Sequence, residues 1–122
     1  MILVDTSVWV NHLRQGNPQL SQALADGAVL MHPFVVGELA CGNLSSRPKV
    51  LSDLQRLPAA TAADHDEVLG FLEQHRLFGS GITWMDAHLL ASARLSHCRL
   101  WTLDAHLSAA ATKFHLGYSA TN

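Results

Sequence analysis

A chain of 122 residues, 48% hydrophobic and 15% charged, has room for one domain spanning residues 1–122, which excludes both a disordered tail and a multidomain machine. Eight Lys and Arg stand against ten Asp and Glu, a formal net charge of −2, which argues against a DNA or membrane binder that relies on a basic surface. The opening MILVDTSVWV lacks Lys and Arg and carries Asp5 inside its apolar run, so it does not read as a secretory signal. The longest apolar stretch, AVLMHPFVVG, is interrupted by His32 and Pro33 and falls short of the ~20 residues that cross a bilayer. A cytoplasmic protein is expected, with Cys41 and Cys98 as small buried hydrophobes. The histidines show no HxxxH spacing and no CxxC partner, so zinc is not expected.

In chain order, Ile2-Leu3-Val4 is a continuous apolar run ending in Asp-Thr-Ser, the pattern of a strand buried on both faces that hands over to a helix. Helical periodicity follows over Ser7 to Arg14 and Pro18 to Asp26. A second apolar run, Ala28 to Met31, stops at His32-Pro33, and Pro33 suits the first position of a helix over Phe34 to Asn43. Another helix covers Pro48 to Leu57, with Pro58-Ala59-Ala60 as a short edge strand. Asp64 to Phe78 is amphipathic. Gly79-Ser80-Gly81 breaks it, and Thr83-x-x-Asp86 has the capping-box pattern that opens a helix to His97. Arg99 to Leu103 is the next strand, Asp104 to Phe114 the last helix, and Leu116-Gly117-Tyr118 a final edge strand. Such alternation predicts right-handed βαβ crossovers, a parallel sheet, and ligands at the carboxyl ends of its strands.

Four acids stand where solvated charges are not expected. Asp5 follows directly on the first strand, and Asp104 ends the strand that holds Thr102, which the pleat puts on the same face. Glu38 has Phe34, Val35 and Cys41 at i−4, i−3 and i+3, and Asp86 has Ile82, Leu89 and Leu90 at i−4, i+3 and i+4, so both are expected to face inward. Each has a plainer explanation: Asp5 and Asp104 as helix caps, Asp86 as the acid of a capping box, Glu38 as a satisfied core or surface acid. An inward carboxylate is costly unless it is paired or binds a cation, and no Lys or Arg lies within four positions of Asp5, Glu38 or Asp86. Four converging carboxylates would repel one another; hard oxygen donors without Cys or clustered His favour Mg²⁺ or Mn²⁺.

The segments Ile2-Leu3-Val4-Asp5-Thr6-Ser7-Val8-Trp9, Pro33-Phe34-Val35-Val36-Gly37-Glu38-Leu39, Gly81-Ile82-Thr83-Trp84-Met85-Asp86-Ala87 and Leu100-Trp101-Thr102-Leu103-Asp104 resemble the four motifs of PIN-domain ribonucleases, most nearly the VapC type of toxin from bacterial toxin–antitoxin pairs. The resemblance covers essentially the whole chain in order and spacing, with Ala59 to Ala63 a poor match to the family's third strand. It implies an α/β fold, a PIN-like αβα sandwich around a central, mostly parallel sheet of four to five strands. It further implies endoribonuclease activity dependent on Mg²⁺ or Mn²⁺, a homodimer, and inhibition by a cognate VapB-like antitoxin. Asp5, Glu38, Asp86 and Asp104 fall on the family's acidic quartet, and Thr6 and Thr102 on hydroxyl positions that support it.

On that reading Asp5 and Asp104, at rigid strand ends, are the most direct metal ligands, and Glu38 and Asp86 hold a second ion or metal-bound waters. Thr102 fixes a carboxylate or a water beside them. With the four acids neutralised, eight cations face six remaining acids, a balance of +2, and Arg14, Arg47 and Lys49 are candidates for binding RNA, the last two in a loop around Pro48. Helical spacing turns His88 and His106 away from the acids that precede them. Trp9 is assigned either to the core or to a dimer interface. A free acidic groove invites an inserted Arg, so the antitoxin is expected to carry an Arg-containing tail. The competing readings are a non-catalytic PIN-like metal- or peptide-binding module and a phosphatase or receiver-type aspartate domain. Ser7 replaces the second Asp of such a phosphatase, and Lys113 lies too far along for a receiver.

Overall fold

A computed structural model describes residues 1–120. In chain order the elements are β1 (Ile2–Val4), α1 (Thr6–Gln15), α2 (Pro18–Ala25), β2 (Val29–Leu30), α3 (Pro33–Ala40), α4 (Arg47–Gln55), α5 (His65–Gln74), α6 (Trp84–Leu95), β3 (Arg99–Trp101) and α7 (Ala105–Lys113). The strands form a parallel sheet in the order β2-β1-β3, with Leu3 level with Leu30 on one side and Leu100 on the other. Residues of β1 are buried on both faces, as the unbroken Ile-Leu-Val run requires. Leu20, Leu89, Leu90 and Leu107, none more than 1% exposed, close over the sheet from the helices.

The expected α/β architecture is present, with a shorter sheet than the four to five strands expected. Both edge segments reduce to single parallel bridges, Met31 with Ala59 and Leu100 with Gly117. Pro58 accepts from Met31 N–H through its carbonyl but has no N–H of its own to extend a ladder. β3 also ends earlier than expected, at Trp101 instead of Leu103, because the Thr102 hydroxyl takes over the bonding of the turn and Leu103 swings out to 58% exposure.

Helix starts follow the local chemistry. Asn17 accepts from Leu20 N–H ahead of Pro18, Asp64 and Glu67 form a reciprocal capping box on α5, and Thr83 and Asp86 form another on α6. α5 stops at Gln74, four residues before the expected Phe78, where Arg76 turns into the left-handed region. α4 begins at Arg47, so Arg47 and Lys49 lie in a first helical turn and not in a loop. Trp9 is in the core at 3% exposure. Cys98 is buried, and burial pushes its thiol pKa up; Cys41 is exposed, contrary to the expectation for it, because α3 ends at Ala40 and the chain turns outward. Among the described residues no helix is long and apolar enough to cross a membrane.

His32 caps α3 in an unusual way. Its Nδ1 accepts from Phe34 N–H at 3.0 Å, which places the proton on Nε2, and that N–H is buried without a partner among the described residues. Burial, and then the neighbouring His88, lower the His32 pKa to about 4. The unfolded chain therefore takes up a proton near pH 6.5 that the folded chain refuses until about pH 4. Stability is fully present above pH 6.5 and is lost as pH falls through that window, by an amount on the order of 2–3 kcal/mol. Urea unfolding at pH 7 and pH 5 is expected to show this loss, and His32→Asn, which keeps a capping acceptor without titrating, to flatten it.

Candidate active site

The carboxyl ends of β1 and β3 meet at Asp5. Its amide donates to Trp101 O at 2.8 Å, and its side chain, 7% exposed, makes no cap to α1 although it stands at the N-cap position. Two hydroxyls hold one of its oxygens: Ser7 Oγ donates to Oδ2 at 2.7 Å and Thr102 Oγ1 at 2.8 Å. Each hydroxyl also accepts a backbone N–H from the turn after β3, Ser7 from Leu103 and Thr102 from Asp104, both at 3.0 Å. With their protons committed to Asp5, the 3.4 Å approach of the two hydroxyls to each other is a contact and not a hydrogen bond. Hydrogen bonds to a buried charge contribute about 1.5–3 kcal/mol each, which offsets part of the desolvation of Asp5 and leaves its second oxygen without a partner among the described residues.

The other three acids are attached to this centre by their neighbours. Thr6 Oγ1 donates to Glu38 Oε1 at 2.6 Å, tying α3 to the residue after Asp5. Asp104 caps α7 by accepting from Leu107 N–H at 2.9 Å. Asp86 accepts from Thr83 N–H at 3.0 Å, and the loop ahead of it seats against α7: a Cβ at Gly81, where φ is +87°, would sit 2.6 Å from His106 Nδ1. In every case one carboxylate oxygen is held by the scaffold, and the other has no hydrogen-bond partner among the described residues.

Burial corrects the expected picture. Only Asp5 is buried; Asp86 is half-buried, and Glu38 and Asp104 are exposed. Glu38 looked inward because of Phe34 and Cys41, but those neighbours are themselves on the surface, and the buried stripe of α3 is Val35 and Leu39. The carboxylates of Glu38 and Asp104 are therefore open to solvent instead of turned inward. The capping roles of Asp86 and Asp104 are present and leave their second oxygens free. Among the described residues the side-chain ion pairs are Lys49–Asp53 and Arg56–Asp53, so none of the four acids has a cationic partner.

The three basic candidates separate. Arg14 lines a cleft of about 400 Å³ together with Glu38, Leu13, Leu39 and the 42–45 loop. Arg47 donates to the carbonyls of Gly42 and Ala40 and so closes the end of α3. Lys49 pairs with Asp53 at 3.0 Å on the surface, a carboxylate it shares with Arg56. Ser7 was not singled out from the sequence, although its place two residues after Asp5 at a strand-to-helix turn is a signal for a side chain that bonds back to the acid.

Comparisons with known proteins identify the family. Residues 2–113 match the PIN domain family. The chain is 45% identical over 111 residues, 90% of each chain, to Ribonuclease VapC32 of Mycobacterium tuberculosis, in strains CDC 1551 / Oshkosh and ATCC 25618 / H37Rv. It belongs to the PIN-domain family, VapC type. Its fold is also that of PAE2754 from Pyrobaculum aerophilum, at 18% identity and a TM-score of 0.60 over 88% of this chain and 77% of that one.

The PIN-domain site is suited by its donors to a hard divalent ion, since four carboxylates each present an uncommitted oxygen. Among the described residues no three His, Cys, Asp or Glu side chains gather into a group that could hold a metal by themselves. The expected convergence of four carboxylates on one ion is therefore not present as a ligand cluster among these residues; a hard ion here would meet one or two of them and complete its shell with water and substrate oxygens.

Removing a hydroxyl from the centre tests the network. Thr102→Val is expected to cost on the order of 1–3 kcal/mol in urea unfolding, and much less when Asp5 is already Asn, because the lost bond is to the carboxylate charge.

Proposed function

We propose that this PIN-domain chain is a metal-dependent endoribonuclease toxin that hydrolyses RNA phosphodiester bonds and is neutralised by a cognate VapB-like antitoxin. The observation that carries the reading is Asp5: a buried carboxylate without a cationic partner, held by two hydroxyls at a strand end and wired through Thr102 to Asp104. The similarity to proteins named Ribonuclease VapC32 supports the substrate and the partner class.

The catalytic and metal-binding residues are Asp5, Glu38, Asp86 and Asp104, with Asp5 and Asp104 as the direct pair. When bound, Mg²⁺ or Mn²⁺ supplies an activated water and neutralises charge on the phosphoryl group. The chain's own part is to aim the acids. Ser7 and Thr102 keep Asp5 from rotating by holding its Oδ2, which leaves Oδ1 free to meet a ligand. Thr102, by holding Asp104 N–H, ties the placement of Asp104 to that of Asp5. Thr6 stops the exposed Glu38 from sampling other rotamers, and the capping box does the same for Asp86. Arg14, on the cleft beside Glu38, is the cation placed to meet an RNA phosphate. An Arg-containing antitoxin tail would compete for the same acids by bidentate bonding. Homodimerisation and a cytoplasmic location belong to this reading.

Purified chain is expected to cut RNA to 5′-phosphate products with Mg²⁺ or Mn²⁺ and to stop in EDTA; cleavage that survives excess EDTA would overturn the reading. Asp5→Asn should lower kcat by roughly two orders of magnitude or more while leaving the circular dichroism spectrum unchanged. Metal should raise the thermal midpoint of the wild type and not of Asp5→Asn. Protein that is stabilised by Mn²⁺ but cuts no RNA would favour the binding-module alternative.

The cations make a separate comparison. Arg14→Ala is expected to raise KM several-fold with stability unchanged. Arg47→Ala should lower the thermal midpoint by a few degrees and leave KM alone, since its partners are the carbonyls of Gly42 and Ala40.

A further inference from the structure

We infer that Phe34 and Trp84 form a base-stacking platform that holds unpaired RNA beside the acids. The inference rests on the ribonuclease reading and names how that site takes its substrate. Phe34 stands one helical turn before Glu38 on α3 and shares its face, whereas Trp84, the first residue of α6, lies on the His88 face, which helical spacing turns away from Asp86. Both rings are 37% exposed, and both rest on one buried residue, His88, whose ring centroid is 4.6 Å from each. His32 supports Phe34 from behind at 5.0 Å, and His65 flanks Trp84 at 5.0 Å. The result is a continuous array of five rings on a buried histidine, with two partly exposed members, of which Phe34 stands one helical turn from Glu38.

The cation inventory favours a nucleobase as the occupant. Arg47 and Arg99 are bound to backbone carbonyls, Lys49 and Arg56 to Asp53, and Arg94 to His75 and the rings of Phe71 and Phe114. Arg14, Arg76 and Lys113 are left without such partners among the described residues. The engaged cations keep their charge, but their donors are already directed; the three that remain would give a log–log salt slope no steeper than about −2 if all met phosphates of one single strand. Stacking on aromatic faces is the sequence-tolerant alternative for unpaired RNA, and it needs no positive surface.

The test uses a built-in probe. Of the three tryptophans, Trp9 and Trp101 are 3% and 4% exposed, so quenching by a ligand reports Trp84. The full chain in EDTA is titrated with a mixed-sequence single-stranded RNA of about 12 nucleotides and with an abasic strand of the same length. Quenching by the RNA, weaker binding of the abasic strand by roughly 5- to 100-fold, and a shallow salt slope are expected. Phe34→Leu and Trp84→Leu keep apolar surface and remove the ring. Each should weaken RNA binding and raise KM by a similar factor at an unchanged thermal midpoint. Equal binding of RNA and abasic strand by the wild type overturns the platform, and that comparison stands even if a Leu variant fails to fold. Leu variants that bind RNA like the wild type but lose a protein partner would make the patch a protein-docking face and equally overturn it. A wild type that cuts RNA while these binding results fail leaves the nuclease reading intact. One that quenches with RNA yet cuts none under Mn²⁺ keeps the platform and removes the nuclease.

Discussion

Two hydroxyls on one carboxylate oxygen organise the carboxyl end of the sheet. Ser7 and Thr102 come from opposite ends of the chain and converge on Asp5 Oδ2, each passing a backbone N–H from the turn after β3 into the same network. The arrangement solves two problems with one set of bonds. It satisfies a charge taken out of water, and it welds the carboxyl ends of β1 and β3 where a three-residue strand would otherwise fray. The shortness of β3 is a consequence: Thr102 leaves the ladder because its hydroxyl is needed elsewhere.

From that centre the remaining acids are hung on local devices, each of which is also a structural element. Thr6 holds Glu38, the α6 capping box holds Asp86, and the α7 cap holds Asp104. A helix cap uses one oxygen of a carboxylate and orients the other, so capping and metal binding are compatible uses of the same side chain. Gly81 permits the last connection, because only a residue without Cβ lets His106 lie against the loop that leads into α6. The aromatic array beside these acids is held in the same manner, by rings packed on a buried histidine.

The legibility of the site in the sequence was uneven for physical reasons. Asp5 and Asp104 were readable because a strand that ends in Asp before a helix constrains that acid to the sheet's carboxyl edge, whatever else the chain does. Asp86 was readable through its capping box, a pattern that needs only three residues of local geometry. The inward reading of Glu38 failed because apolar neighbours at helical spacing do not say which of them reach the core; Phe34 and Cys41 do not. Arg47 and Lys49 looked available because their partners, two carbonyls at the end of α3 and Asp53, become neighbours only when helix ends are fixed. The bond from Ser7 to Asp5 is local and open to a sequence reading, whereas its second bond, from Leu103 N–H, joins segments that only the fold brings together.

By itself the sequence determined the order of elements, the parallel α/β class, the helix starts and the placing of Asp5, Asp86 and Asp104 at strand ends and helix caps, because those depend on periodicity, caps and strand ends within a few residues. It could not decide burial, sheet width or which charges are already engaged. Tertiary structure settled those: only Asp5 is enclosed, both outer strands shrink to single bridges, and most cations are turned to carbonyls, acids or rings. Local patterns record what a residue does to its own backbone, whereas desolvation and pairing are properties of the groups that distant segments bring beside it.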